Sequence, residues 1–214
     1  MTPTSIGTMI KTDADIAQAS RALAAQCRHM AAALEVCGGP PPLRRRPPGF
    51  ETLARILVGQ QLSVASAGAI WQRLETGLGA VTPGAVVART DEALRGFGLS
   101  RPKQRYLRAA AEAVLDGTLD LDGLAAMEDA AAHRHMIAVT GIGPWTADIY
   151  LLSGLGRPDV FPAGDLALQV AAQRLMRKRS RPDADALLKI ARPWRPWRGV
   201  AARILWSYYS VPPV

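Results

Sequence analysis

The chain is 214 residues long, 49% apolar, and carries a formal net charge of +8. That length can bury a real core, as one domain or as two small lobes, while no apolar run approaches the roughly 18 residues of a membrane span. The opening stretch Met1–Lys11 lacks the basic start and apolar core of a secretory signal, so a cytoplasmic protein is expected.

The positive charge rests on 22 arginines against 4 lysines. Guanidinium forks bind phosphate in a bidentate way, which suits a polyanionic partner. A GC-rich genome also raises Arg, so the ratio alone leaves both readings open; the net charge favours the polyanion. Cys27 and Cys37 form no C-x-x-C pair and have no His cluster nearby. Neither a zinc site nor an iron–sulfur cluster is expected, only thiols in a reducing compartment.

Helical patterns with short breaks fill the chain, and strand signals are almost absent. Asp13 and Asp15 can cap a long Ala-rich helix running to about Glu35. The segment 38–49 is dense in Gly and Pro, forbids helix and reads as an extended linker. Its Arg44-Arg45-Arg46 triplet suits either phosphate contact or plain solvation. Residues 50–58 form a helix that Gly59 interrupts, and Ser63 caps the next, to about Gly77. Thr82-Pro83 and Thr90-Asp91-Glu92 open two more. Helices are expected over 101–115, 127–138, 144–152, 165–176, 181–190 and 199–209. The expectation is an all-α protein of about ten helices. The N-terminal helix (1–37) should join the C-terminal helices (161–214) in one lobe, the linker leading to a central lobe at 50–160.

Two places carry chemistry. In Val139–Ala147, Gly141 and Gly143 can take positive φ and have no side chain to block a close approach. Pro144 suits a first helical position, and the free amides beyond it make an anion site. Gly-x-Gly-Pro also makes an ordinary helix–turn–helix connection, so the turn alone leaves both readings open. With Ile137, Val139, Ile142 and Thr146-Ala147 in register, the stretch matches a helix-hairpin-helix motif. Asp165, after a Gly/Pro-rich loop, opens a helix whose positive dipole end favours its carboxylate form. Alone it is a plain N-cap. The loop is long enough to bring it back to the side of the turn. His29, His133 and His135 have no telling partner and are expected at the surface or as caps. Lys103 and Arg105 suit phosphate contacts or solvated charges equally.

Four stretches in order, Leu53–Ser63, Gly141–Ala147, Asp159–Phe161 with Asp165, and Trp194–Arg198, resemble the helix-hairpin-helix DNA glycosylase superfamily, most of all its bacterial 3-methyladenine glycosylase II branch. The resemblance runs from Phe50 to Trp206 and implies two helical lobes with an active-site cleft between them. It implies that Asp165 is the catalytic carboxylate. Trp145 stands where lyase members carry a lysine nucleophile, so no Schiff base can form there, and the four-cysteine iron–sulfur loop of that branch is absent. The resemblance places Trp145 and Trp197 in the base pocket. Tyr150 is a further candidate for the lining; Trp194 suits either the lining or a pin between the lobes, and Trp206 reads as mainly structural. Ile149 replaces a tyrosine of the close family. Electron-rich indoles suit a cationic alkylated purine by cation–π contact. Gln61 takes the place of the wedge that fills the hole left by a flipped base. Gly141, Gly143 and Thr146 would meet DNA, and the carbonyls of Ile137, Val139 and Ile142 would hold a monovalent Na or K ion. The expected partner is double-stranded DNA with damaged bases, the expected state a monomer without a membrane association. With about 48 residues before the core, no room is expected for the extra β-domain some relatives carry.

Overall fold

A computed structural model describes residues 9–212. Most of Met1–Lys11, from which the absence of a leader is read, lies outside the described residues. Among them are twelve α-helices, two short 3-10 turns (Gly123–Ala126 and Arg192–Trp194) and no strand. The all-α expectation is met. No helix there is long and apolar enough to cross a membrane. The chain divides into two compact units: residues up to Arg45 together with those from Gly156 on, and Arg46–Leu155 between them.

The first unit begins with α1 (Asp13–Gln26) and α2 (Arg28–Val36). The single long helix expected here is broken at Cys27, whose backbone is extended (φ −144°, ψ 108°). The break lets Ile16, Ala19 and Leu23 of α1 and Met30 and Ala33 of α2 reach one core from two directions. Neither Asp13 nor Asp15 is the N-cap. Thr12 is, in a capping box with Asp15, and Asp13 instead accepts the Leu43 amide at 2.8 Å. The linker is therefore extended as expected, but it is fastened to this unit rather than solvated throughout. The rest of the unit is α10 (Leu166–Leu175), α11 (Ala184–Ala191) and α12 (Arg198–Ser210). Its core joins Leu168, Leu187 and Ile204 to Trp194 and Phe161, whose rings meet edge to face at 5.9 Å. The chain re-enters the unit at Gly156 (φ +74°), where Ile10 donates to the Gly156 carbonyl and where a Cβ would lie 2.3 Å from the Ile10 carbonyl oxygen.

The second unit holds α3 (Phe50–Gly59), α4 (Val64–Leu78), α5 (Pro83–Val87), α6 (Asp91–Gly96), α7 (Arg101–Leu115), α8 (Asp129–Ile137) and α9 (Pro144–Ser153). Ser63, Thr82 and Thr90 cap α4, α5 and α6, each side-chain oxygen accepting from the amide three residues on. Leu53, Leu57, Leu74, Leu94, Leu107 and Met136 fill the core. Arg55 lies over the Trp71 ring at 3.9 Å, a cation–π contact covering the α3–α4 seam.

Candidate functional site: a braced hairpin and a helix-capping aspartate

In the second unit α8 ends at Ile137 with Ala138 as its C-cap, and a short turn leads to α9. Gly141 adopts φ +90°, as expected, with the Tyr106 ring pressed beneath it. Gly143 does not take positive φ. It is extended (φ −82°, ψ 173°) as the N-cap of α9 and makes no side-chain cap. Pro144 occupies the first turn, so the amides at this helix start have no side-chain acceptor supplied by the cap. Around Gly143 a Cβ would meet nothing within 4 Å. The surface is open where an anion would approach.

What holds the turn is Gln60, a residue whose role local spacing does not reveal. Its side-chain amide donates to the Gly141 carbonyl (3.2 Å) and to the Thr146 hydroxyl (2.8 Å). Lys103, on α7, donates in turn to the carbonyls of Val58 and, at 2.7 Å, Gln60. It is neither a phosphate contact nor a solvated charge but a cap on the C-terminus of α3, and burial pulls its pKa below the usual lysine value. The hairpin is thus tied through side chains to α3 and α7. Thr146, expected to meet DNA, is only 2% exposed and serves as the inner anchor of this brace. Replacing Gln60 by Ala orphans a carbonyl and a buried hydroxyl, so a loss of about 1–3 kcal/mol is expected. Thermal denaturation would show it, and an unchanged midpoint would refute the brace.

In the first unit Asp165 is the N-cap of α10, its Oδ1 accepting from the Leu168 amide at 3.1 Å. The same oxygen accepts from Trp206 Nε1 at 3.2 Å. Trp206, expected to be mainly structural, is the indole that fixes this carboxylate. The loop before Asp165 is set from within: Gln169 donates to the Ala163 carbonyl, and the Asp165 amide donates to that of Pro162. Asp159 gathers the Trp194–Arg198 segment, taking Arg198 Nε and Nη2 at 2.8 and 2.7 Å and Arg195 Nε at 3.1 Å. Two of the four stretches singled out in the sequence therefore meet through a bidentate ion pair.

Residues 54–196, more than half the chain, match the family described as HhH-GPD superfamily base excision DNA repair protein. The chain belongs to that family. Among solved structures, the Schizosaccharomyces pombe 3-methyladenine DNA glycosylase Mag1, in complex with abasic DNA, superposes with a TM-score of 0.81 at 26% identity, covering 88% of this chain and 95% of that one. A DNA-3-methyladenine glycosidase from Bacillus halodurans gives 0.78 at 32% identity, over 90% and 89%. A Bacillus subtilis DNA-3-methyladenine glycosylase is 28% identical over 169 residues, 73% of this chain and 56% of the relative. The chain spans little more than half the length of such bacterial relatives, 58% in another case from the same organism.

The remaining expected residues of this HhH-GPD chain fall in different settings. Trp145 is half-buried at the start of α9. Tyr150, expected to line a pocket, is fully buried. Its hydroxyl accepts from the Gly49 amide at 2.9 Å, and burial pushes its pKa up, so it is a neutral strut under the start of α3. Trp194, 1% exposed, is a core residue; packing against Phe161 accounts for its place. Trp197 is half-buried beside a cavity of about 110 Å3 that Ile10, Asp15 and Gln18 also line. Gln61 is exposed in a left-handed conformation, φ +56°, which turns the chain sharply between α3 and α4. Ile137, Val139 and Ile142 bracket the hairpin. The Val139 carbonyl accepts from the Ile142 amide. His135 accepts from the Asp120 amide at 3.1 Å, and His133 lies 3.4 Å from Asp148. Neither is a helix cap or a freely solvated side chain: His133 has a carboxylate partner on α9, and His135 ties α8 to the segment before it.

Proposed function

We propose that this chain is a monofunctional DNA glycosylase that removes alkylated purines, of the 3-methyladenine and 7-methylguanine kind, from double-stranded DNA by base flipping. One observation carries the reading: a carboxylate fixed at a helix start by its own N-cap bond and by the Trp206 indole, in an HhH-GPD chain whose hairpin holds Trp145. The relatives named as 3-methyladenine glycosylases support it.

The chemistry follows from the residue types. A purine alkylated at N3 or N7 is cationic, so the C1′–N bond already leans towards breaking and its electron pair leaves with the base. The sugar acquires oxocarbenium character, which the Asp165 carboxylate stabilises. Water adds its oxygen to C1′ and passes a proton to Asp165 or bulk solvent. The products are a free neutral base and an abasic site. Without an amine in the hairpin, no imine to C1′ forms and the strand stays whole. Trp145 and Trp197 would offer indole faces to the cationic base. Gln61, at its sharp exposed turn, would enter the space the flipped nucleotide leaves. The Gly141–Gly143 turn would receive a backbone phosphate, with a monovalent cation held by the carbonyls of Ile137, Val139 and Ile142. No redox cofactor, zinc or iron–sulfur cluster enters this scheme, which is one of a monomer working on cytoplasmic DNA.

The test is direct. Purified protein is incubated with methylated duplex DNA and the released bases are identified. Release of 3-methyladenine or 7-methylguanine with no strand cleavage is expected. Release of a different base, or none, overturns the alkylpurine reading, and β-elimination products overturn the monofunctional one.

A further inference from the structure

Within the Asp165-bearing unit, the extended segment before Arg45 and the face of α12 enclose a cavity of about 320 Å3. Its polar lining includes Arg44, Arg203, Ser207 and Ser210, Trp206 forms part of the wall, and among the described residues no acidic one lines it. Such a composition asks for an anion.

The segment is built, not draped. Leu43 is held at both polar atoms, its amide by Asp13 Oδ1 and its carbonyl by Arg203 Nη1. That clamp leaves Arg44 in the left-handed region, φ +41°. A non-glycine residue held there costs about 1–3 kcal/mol, and such strain collects at ligand clamps. Arg203 is 8% exposed. Burial and the neighbouring Arg44 charge bring its pKa down to about 10. Two arginines therefore line one cavity together with Ser207 and Ser210, an arrangement an anion stabilises from the moment it enters. A phosphate fits best: its tetrahedral oxygens accept from arginine guanidiniums and from the Ser207 hydroxyl together, the Ser210 hydroxyl donating to the Trp206 carbonyl, and arginine favours phosphate for its fork of donors.

We propose that this cavity takes a backbone phosphate of the DNA, giving the unit that carries Asp165 a phosphate anchor of its own, separate from the hairpin turn. The proposal rests on the glycosylase reading above. Trp206 joins the two sites within the unit, since it walls the cavity and donates to Asp165.

Arg44→Gln in the full chain tests it, with Arg21→Gln as a control of equal charge change on the exposed face of α1. Binding of a labelled undamaged duplex is followed between about 50 and 200 mM salt, where removing one phosphate-binding cation lowers the log–log slope by about one. The expected result is a slope reduced by about one for Arg44→Gln, affinity weakened several-fold at low salt, and little change for Arg21→Gln. In a second arm, inorganic phosphate at constant ionic strength should raise the melting midpoint of the wild type more than that of Arg44→Gln. An unchanged slope, or an equal reduction in both variants, overturns the proposal while base release by the wild type leaves the glycosylase reading standing. Phosphate stabilisation that depends on Arg44 without any change in duplex slope assigns the cavity to a free phosphate and overturns the DNA assignment. A wild type that binds no duplex overturns both readings together.

Discussion

Asp165→Asn should abolish base release, lowering the single-turnover rate on methylated duplex by about 1,000-fold or more, within the range a positioned acid–base group supplies. The protein should stay folded. Asn is as good an N-cap as Asp, its amide oxygen can still accept from the Leu168 amide, and it can still take the Trp206 indole proton. What disappears is the negative charge that faces the developing oxocarbenium. Asp165→Ala separates the two effects: it should lose the same activity and in addition about 1 kcal/mol of stability with the cap. Trp206→Phe keeps the charge but removes one of the bonds that aim it, so an intermediate loss, on the order of tenfold, is expected if orientation contributes. Measuring base release alongside the melting midpoint for the three variants decides the role. Full activity in Asp165→Asn would reduce this residue to a cap.

The parts of this arrangement that were legible in the sequence are those decided within a few residues. A serine, threonine or aspartate ahead of an apolar period announces a helix start, so Ser63, Thr82, Thr90 and Asp165 could be read as caps, and each is one. Gly141 could be read as left-handed because a tight turn requires it there. Gly143 could not be distinguished from it, since the same spacing is met by an extended N-cap glycine. The break at Cys27 has no Gly or Pro to mark it; it comes from the need of α1 and α2 to share a core with α12, a tertiary demand that overrides local propensity. Trp206 and Asp165 are 41 residues apart, and Gln60 and Thr146 are 86 apart. Nothing in local spacing says which indole or amide will cross such a gap. The one signal available was negative: a polar side chain in an otherwise apolar stretch, such as Gln60 after Leu57-Val58, needs a partner once buried. The aromatic pocket rests on the family resemblance, and neither resemblance nor residue type separates a tyrosine that faces a ligand from Tyr150, whose hydroxyl accepts from the Gly49 amide.

The two hairpin glycines should respond to the same substitution in opposite ways. Gly141→Ala places a Cβ 2.3–2.6 Å from the Cγ, Cβ and Cδ1 atoms of Tyr106, in a backbone conformation (φ +90°) that L residues rarely adopt. Left-handed strain of about 1–3 kcal/mol adds to an overpacking cost of about 1–3 kcal/mol. The sum, about 2–6 kcal/mol, is a large share of the 5–15 kcal/mol or so by which a domain is stable, and a fall in the melting midpoint of about 5–20 °C follows for a chain of this size. Gly143→Ala meets open space at an ordinary φ of −82°. Alanine is a poorer N-cap than glycine, but it also restricts the unfolded chain by about 0.4–1 kcal/mol in favour of folding, so stability should stay within about 1 kcal/mol. Its cost should appear instead in duplex affinity, because the new methyl stands where a phosphate would approach the α9 amides; about a tenfold loss is expected, on the scale of one weakened charge-assisted hydrogen bond. Adding Tyr106→Gly, which removes the Cβ as well as the ring, takes away all three atoms that Gly141→Ala strikes, so the double variant should be less destabilised than the sum of the singles, whereas residues that do not touch add within about 0.5 kcal/mol. Additivity of that pair would show that backbone strain alone, and not Tyr106, demands a glycine at 141.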